Sequence, residues 1–152
     1  MPKPIKRHVS LQPLSRDHHR GLLLCFKIRE GLKRNVEPER IKAYTDWSWE
    51  HELAPHFELE EKFTFTVLGK NHPHVRQALS EHQELKTLFE KKSDLKEVLI
   101  KIEEKLKQHI RFEERILFNE IQNHATQEQL SKIEQSHTVP ENCEFWPDKF
   151  WE

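Results

Sequence analysis

Apolar side chains recur along this chain in alternating steps of three and four, the spacing that keeps one stripe of an α-helix facing its neighbours. A first helix is predicted from a cap at Ser15, just after Pro13, through Leu22, Leu23, Leu24, Phe26, Ile28 and Leu32, ending before residues 35–38. A second runs from about Pro38 to Leu68 and stops at Gly69 and the turn-prone Lys70-Asn71. Pro55 lies inside it, removes a backbone hydrogen bond and should kink it. A third spans about Pro73 to Lys91. A fourth, capped by Ser93 or Asp94, carries Leu95, Leu99, Ile102, Leu106, Ile116, Leu117 and Ile121 to about Asn123. Thr126 and Gln129 have the form of a capping box and open a short fifth helix to about Ser136. The aromatic tail, with Phe145, Trp146, Phe150 and Trp151, is expected to pack on the helices. Four long helices with short connections predict an all-α fold, an antiparallel up-down-up-down four-helix bundle over about 14–124 with an extension over 125–152, together one domain.

The inward stripe is not uniformly apolar. On the fourth helix it reads Leu95, Leu99, Ile102, Leu106, His109, Glu113, Ile116, and on the second Trp49, Leu53, His56, Glu60, Phe63, Val67. The same polar pair interrupts both seams at the same point. Residues 56–65 align without gaps on 109–118: His, apolar, charged, apolar, Glu, Glu, basic, apolar, one free position, Phe. On the third helix the stripe through Val75, Leu79, His82 and Phe89 again admits a histidine, and on the first His18 lies one turn before Leu22. A buried carboxylate costs several kcal/mol unless paired, so two glutamates and four histidines in one core need a compensating charge. A pair of metal ions supplies it. Positions i and i+4 are neighbours on a helix, so His56 with Glu60 and His109 with Glu113 can each aim a nitrogen and an oxygen at one point. Nitrogen and oxygen donors without sulfur suit iron, manganese or zinc and disfavour calcium, magnesium and iron–sulfur clusters. The candidate ligands are His18, His56, Glu60, His82, His109 and Glu113, too few to saturate two six-coordinate ions, which leaves positions for solvent or a small ligand.

Composition narrows the alternatives. With 25 basic and 26 acidic residues and a net charge of −1, the chain lacks the basic footprint that nucleic-acid or anionic-membrane binding requires. Cys25 and Cys143 are too few for a disulfide framework, and no apolar run approaches a membrane span, so a cytoplasmic location is expected. Eleven histidines are the one anomaly. His8, His51, His72, His74, His124 and His137 fall outside the stripe and receive no role. His51-Glu52 begins like a zinc-protease HExxH, but the next histidine is at 56 rather than 55, which breaks the required face. The one Glu-x-x-His match with ferritin-like diiron spacing, Glu134 with His137, lies beyond the seam. Trp47, Trp49 and Phe57 at helical spacing read as packing, and Cys25 as a small buried residue.

Four motifs in order carry a resemblance: Leu14-Ser-Arg-Asp-His18-His19, His56-x-x-x-Glu60-Glu61, Glu81-His82-Gln83-Glu84-Leu85, and His109-x-x-x-Glu113-Glu114 followed by Leu117-Phe118. Over about 14–123 the chain resembles the hemerythrin superfamily, in particular the hemerythrin HHE cation-binding domains. The resemblance implies a non-heme diiron centre, bridged by one carboxylate from each of the second and fourth helices, that binds dioxygen or senses oxygen, iron or nitric oxide. The chain departs from the family's oxygen carriers at Ala78, where they have a histidine four before His82. Their helix-four spacing would select Glu114 where the seam selects Glu113, and His18 and His19 compete for one position. The departure at Ala78 weighs against simple oxygen carriage. Two other classes remain: a redox enzyme of peroxidase or iron-oxidase type, and a helical interaction module with a structural metal.

Overall fold

The computed structural model describes residues 6–137 and 146–152. Among these the chain is all-helical, with no strand. A 3-10 turn, Val9–Leu11, leads into α1 (Gln12–Lys33). A composite rod follows: α2 (Pro38–Ser48), a π-helical turn Trp49–Leu53, α3 (Ala54–Leu59), a π-helical turn Glu60–Thr64 and a 3-10 turn Phe65–Val67. Next come α4 (Pro73–Glu90), and then α5 (Leu95–Phe112), which continues through a π-helical turn, Glu113–Leu117, into α6 (Phe118–His124). Last is α7 (Gln127–Ser136). These five helical stretches correspond to the five read from the sequence. No helix among the described residues is long and apolar enough to cross a membrane.

Local signals held at some ends and failed at others. Gly69 closes the composite rod at φ +90, a conformation that favours glycine, and Thr126 with Gln129 forms the expected reciprocal cap. Ser15 is not a cap. The helix starts three residues earlier, because Pro13 fits the first turn where no backbone N–H is needed, and the preceding 3-10 turn is itself capped by His8 Nδ1, which accepts the Ser10 N–H at 3.0 Å. Asp94 occupies a cap position but with φ 52 and no side-chain cap bond. Pro55 lies just after the first π-helical turn, where the Ala54 N–H reaches back five residues to the Trp49 carbonyl, so the rod absorbs the missing donor by widening.

The core forms two clusters on either side of a polar layer. One gathers Leu24, Ile28, Ile41, Phe57, Leu85, Phe89, Leu99, Ile102 and Leu106, the other Leu11, Leu14, Phe65, Val75, Ala78, Leu117, Phe118, Ile121 and Ile133. On α1 the buried face runs Leu14, His18, Gly21, Cys25, Ile28 and Gly31, whereas Leu22, Leu23 and Phe26, read above as part of the helix's apolar pattern, are exposed. Gly31 lets this face approach closely: a Cβ there would lie 2.8 Å from Ile41 Cδ1 and 2.9 Å from Phe150 Cδ2. The described part of the tail packs as expected, with Trp146, Phe150 and Trp151 around Tyr44 at centroid distances of 5.4, 5.9 and 5.5 Å. Phe145 lies outside the described residues. Trp49 stacks on Phe89, and Phe57 on His82, so these aromatics serve packing.

Candidate metal centre

Between the two clusters lie His18, His56, Glu60, His82, His109 and Glu113, all buried, with Glu60 and Glu113 at 0% exposure. All six candidate ligands read from the sequence are brought together. Of the two pairs left open, His18 is buried and His19 exposed, and Glu113 is fully buried whereas Glu114 is 28% exposed. Within 4.8 Å of one another lie donor atoms of His18, His56, Glu60 and Glu113, and likewise of Glu60, His82, His109 and Glu113. Either group can hold a metal ion, and both glutamates belong to both groups.

The contacts explain how. Glu60 Oε1 lies 3.2 Å from His56 Nε2 and 3.3 Å from His82 Nε2. Glu113 Oε1 lies 3.0 Å from both His18 Nε2 and His109 Nε2. Each carboxylate therefore reaches one histidine of each group. The sequence repeat has a backbone counterpart, since a π-helical turn begins at Glu60 and again at Glu113, with i→i−5 bonds from Phe65 N–H to Glu60 O and from Phe118 N–H to Glu113 O. Such insertions are frequent at functional sites because they rotate the following residues about the axis. Phe65 and Phe118, which end the two repeats, pack on His82 and His18 at 5.4 and 5.1 Å.

The outward ring nitrogens are held as regularly as the inward ones. His18 Nδ1 meets Glu114 at 2.8 Å, His56 Nδ1 meets Asp17 at 2.9 Å, His82 Nδ1 meets Glu61 at 3.2 Å and His109 Nδ1 meets Glu81 at 2.7 Å. The helix of each acid holds the histidine of the next helix in chain order, and the fourth returns to the first, closing a ring. A neutral imidazole that donates Nδ1–H to an outer acid keeps its Nε2 lone pair facing inward, the tautomer a metal ligand needs. Asp17 is also gripped by His137 Nε2 at 2.7 Å, and Glu114 by Arg7 at 3.1 Å. Asp17 and these two partners were not singled out in the sequence reading, and His137 was set aside there. A signal was present, because every outer acid is adjacent in sequence to an inner ligand: Asp17-His18, Glu60-Glu61, Glu81-His82 and Glu113-Glu114.

The inner atoms are poorly satisfied by protein alone. His56 Nε2, His82 Nε2, His109 Nε2, both oxygens of Glu60 and Glu113 Oε2 are buried and make no hydrogen bond. So many orphaned donors and acceptors converging on one point is costly for a core and natural for a set of metal ligands. Cys25 does not join them. Its thiol faces the Glu103 carbonyl, and burial pushes it up to about 12.

Comparison with protein-family models, curated proteins and solved structures finds no significant match. The chemistry must be read from the site itself.

Protonation follows the same geometry. Burial opposes a charged ring at His109, but Glu113 and Glu81 outweigh it and raise the imidazole to about 10. Burial, then the neighbouring Glu113, pushes Glu60 up to about 8. Both groups hold protons more tightly in the folded, metal-free chain than in the unfolded one. Their contribution to stability is complete below the unfolded values, near 6.5 and 4.5, and is lost as pH rises through about 10 and about 8. Metal-free protein is thus expected to lose thermal stability progressively between about pH 4.5 and 10, measured by circular dichroism melts in chelator. Since a bound ion displaces these protons, metal affinity should rise about tenfold or more per pH unit from 6 to 8. An affinity flat across that range would contradict the assignment.

Proposed function

We propose that this chain is a hemerythrin-like protein whose antiparallel up-down-up-down four-helix bundle holds two iron ions at His18, His56, Glu60, His82, His109 and Glu113 and binds or senses dioxygen or a related small ligand such as nitric oxide. The observation that carries this reading is the pair of four-residue donor groups sharing both glutamates, with every histidine fixed from behind by a carboxylate. A structural zinc site needs one closed set of four ligands. Here two buried carboxylates are each placed between two histidine groups, as a bridged pair requires.

Bound iron would supply redox activity and coordination positions open to a small ligand. The protein's own part is to orient, to insulate and to hold protons. Glu60 and Glu113, with the Nε2 atoms of His18, His56, His82 and His109, would hold the ions. Asp17, Glu61, Glu81 and Glu114 lock the rings and raise their basicity. Phe57, Phe65 and Phe118 pack against the rings of His82 and His18. Clefts of about 250 and 350 Å³ approach the layer at Asp17, His56 and His137 and at Phe57, Glu61 and His82. Ala78 is wholly buried and offers no further ligand one turn before His82, which favours sensing or redox chemistry over reversible carriage.

Elemental analysis of untagged protein, with an ultraviolet–visible spectrum before and after reduction and air exposure, tests the proposal. About two irons per chain and an oxygen-dependent near-ultraviolet band are expected. Stoichiometric zinc without a redox-sensitive band would replace it with a structural-metal module, and no metal after anaerobic reconstitution would make the layer a core network. The outer ring gives a graded test. Asp17→Asn keeps the size of the side chain but weakens its hold on His56, and should reduce metal affinity about 10- to 100-fold without changing the stoichiometry at saturation. Competition with a chromophoric chelator measures it.

A further inference from the structure

A second cluster lies outside the buried layer. His72 and His74 flank Pro73 at the start of α4, and Glu120 projects from α6, two turns beyond Glu113. His72 Nε2 lies 3.1 Å from Glu120 Oε2, and His74 Nδ1 contacts Glu120 Oε1. One donor atom from each residue falls within 4.8 Å of the other two. All three side chains are only partly exposed, at 27, 39 and 29%, and Phe112 packs edge-on against His74 at 5.7 Å. Two imidazoles from one turn thus meet a carboxylate 46 residues away along the chain from the nearer of them.

We propose that His72, His74 and Glu120 form a second, solvent-facing site for one divalent transition-metal ion. Two imidazoles and a carboxylate suit zinc, copper(II) or nickel and are too nitrogen-rich for magnesium or calcium. Three protein donors on a surface leave the ion open to water, so it exchanges freely. Rise along α6 puts this site about 10 Å from the buried layer, too far for any shared ligand.

The local chemistry also sets the strength. In the metal-free chain His72 Nδ1 accepts the His74 backbone N–H at 3.2 Å, capping α4. That tautomer carries its proton on Nε2, toward Glu120. Binding through Nε2 moves the proton to Nδ1 and gives up the cap, which costs about five- to tenfold in affinity. The positive end of α4 opposes a cation as well. The site is therefore weaker than the buried layer and is filled after it, and an imidazole-seeking metal is required to overcome both costs.

Trypsin cleavage after Lys70 and Arg76 releases residues 71–76, which contain both histidines and none of the buried ones. Carbethoxylation of protein as purified, with zinc titrated in and this peptide quantified by mass spectrometry, reads the site directly and independently of what the buried layer holds. Submillimolar zinc should protect both rings together, and Glu120→Ala should shift the protection midpoint at least about tenfold. His74→Ala should abolish protection of His72. Unchanged labelling up to millimolar zinc, or a protection midpoint that does not move in Glu120→Ala, would overturn the proposal. Circular dichroism checks that these surface variants fold, and Glu120→Gln offers a second variant of matched size.

Discussion

Glu113→Gln is expected to abolish paired metal binding. Its carboxylate reaches His18 and His109, one from each donor group, so a neutral amide removes a ligand from both positions at once. Metal content after dialysis against a mild chelator should fall from about two ions per chain to near zero, an affinity loss of at least about a thousandfold against about 10- to 100-fold for an outer-ring change. Glu114→Gln is the paired control. It alters the residue that oxygen-carrier spacing would have selected but that here meets the outward Nδ1 of His18 and the guanidinium of Arg7, and it should keep both ions with weakened affinity. If Glu114→Gln lost the metal and Glu113→Gln kept it, the inner layer would be wrongly assigned. A second readout needs no metal. His109 owes its raised value chiefly to Glu113, acting against burial, so its titration by NMR should move down in Glu113→Gln. The variant keeps side-chain volume, and the rings it leaves can shed their protons, so the fold should persist.

Leu117→Ala should destabilise the protein severely, whereas Ile116→Ala should hardly be felt. A plain continuation of the fourth-helix seam places Ile116 inward. The π-helical turn inserts one residue after Glu113, and Leu117 is 0% exposed while Ile116 is 43% exposed. Truncating a fully buried leucine costs about 2–5 kcal/mol, which for a chain of this size lowers the melting temperature by roughly 5–15 °C. The isoleucine change should stay within about 1 kcal/mol. Chemical denaturation in the presence of chelator separates this from any effect on metal. Equal losses at both positions, or the reverse order, would mean that the seam runs straight and the π-helical turn is not populated.

The contrast between these residues shows where reading the chain stops. The buried histidine and glutamate layer was legible because its members obey helical spacing, and spacing is a local property. His56 with Glu60 and His109 with Glu113 are i, i+4 pairs whatever surrounds them, and the repeat from 56 to 65 and 109 to 118 showed that one device occurs twice. The same local logic located Gly69 as a stop and Thr126 as a cap. It failed on α1, where a triple leucine made the exposed Leu22 and Leu23 look equivalent to the buried Leu24. It failed at Ile116 for another reason, since no residue type announces a π-helical turn.

The outer ring is the clearest case of partial legibility. Asp17, Glu61, Glu81 and Glu114 are visible as acids next to ligands. Which histidine each one serves depends on how four helices are rotated against one another, and in every case the answer is a residue on a different helix. His137 joins Asp17 across 120 positions, and His72 and His74 meet Glu120 across 48 and 46.

By itself, then, the sequence determined that this chain is helical, where its five helical stretches lie, and that histidines and glutamates interrupt their apolar seams, because each of these follows from periods of three to four residues. Only the tertiary structure decided that Glu113 rather than Glu114 faces inward, that every histidine is held from behind by a neighbouring helix, and that a second histidine cluster forms at the surface. Those are matters of helix rotation and of contacts between distant segments, and they are set when the two apolar clusters pack and the helices can no longer turn independently.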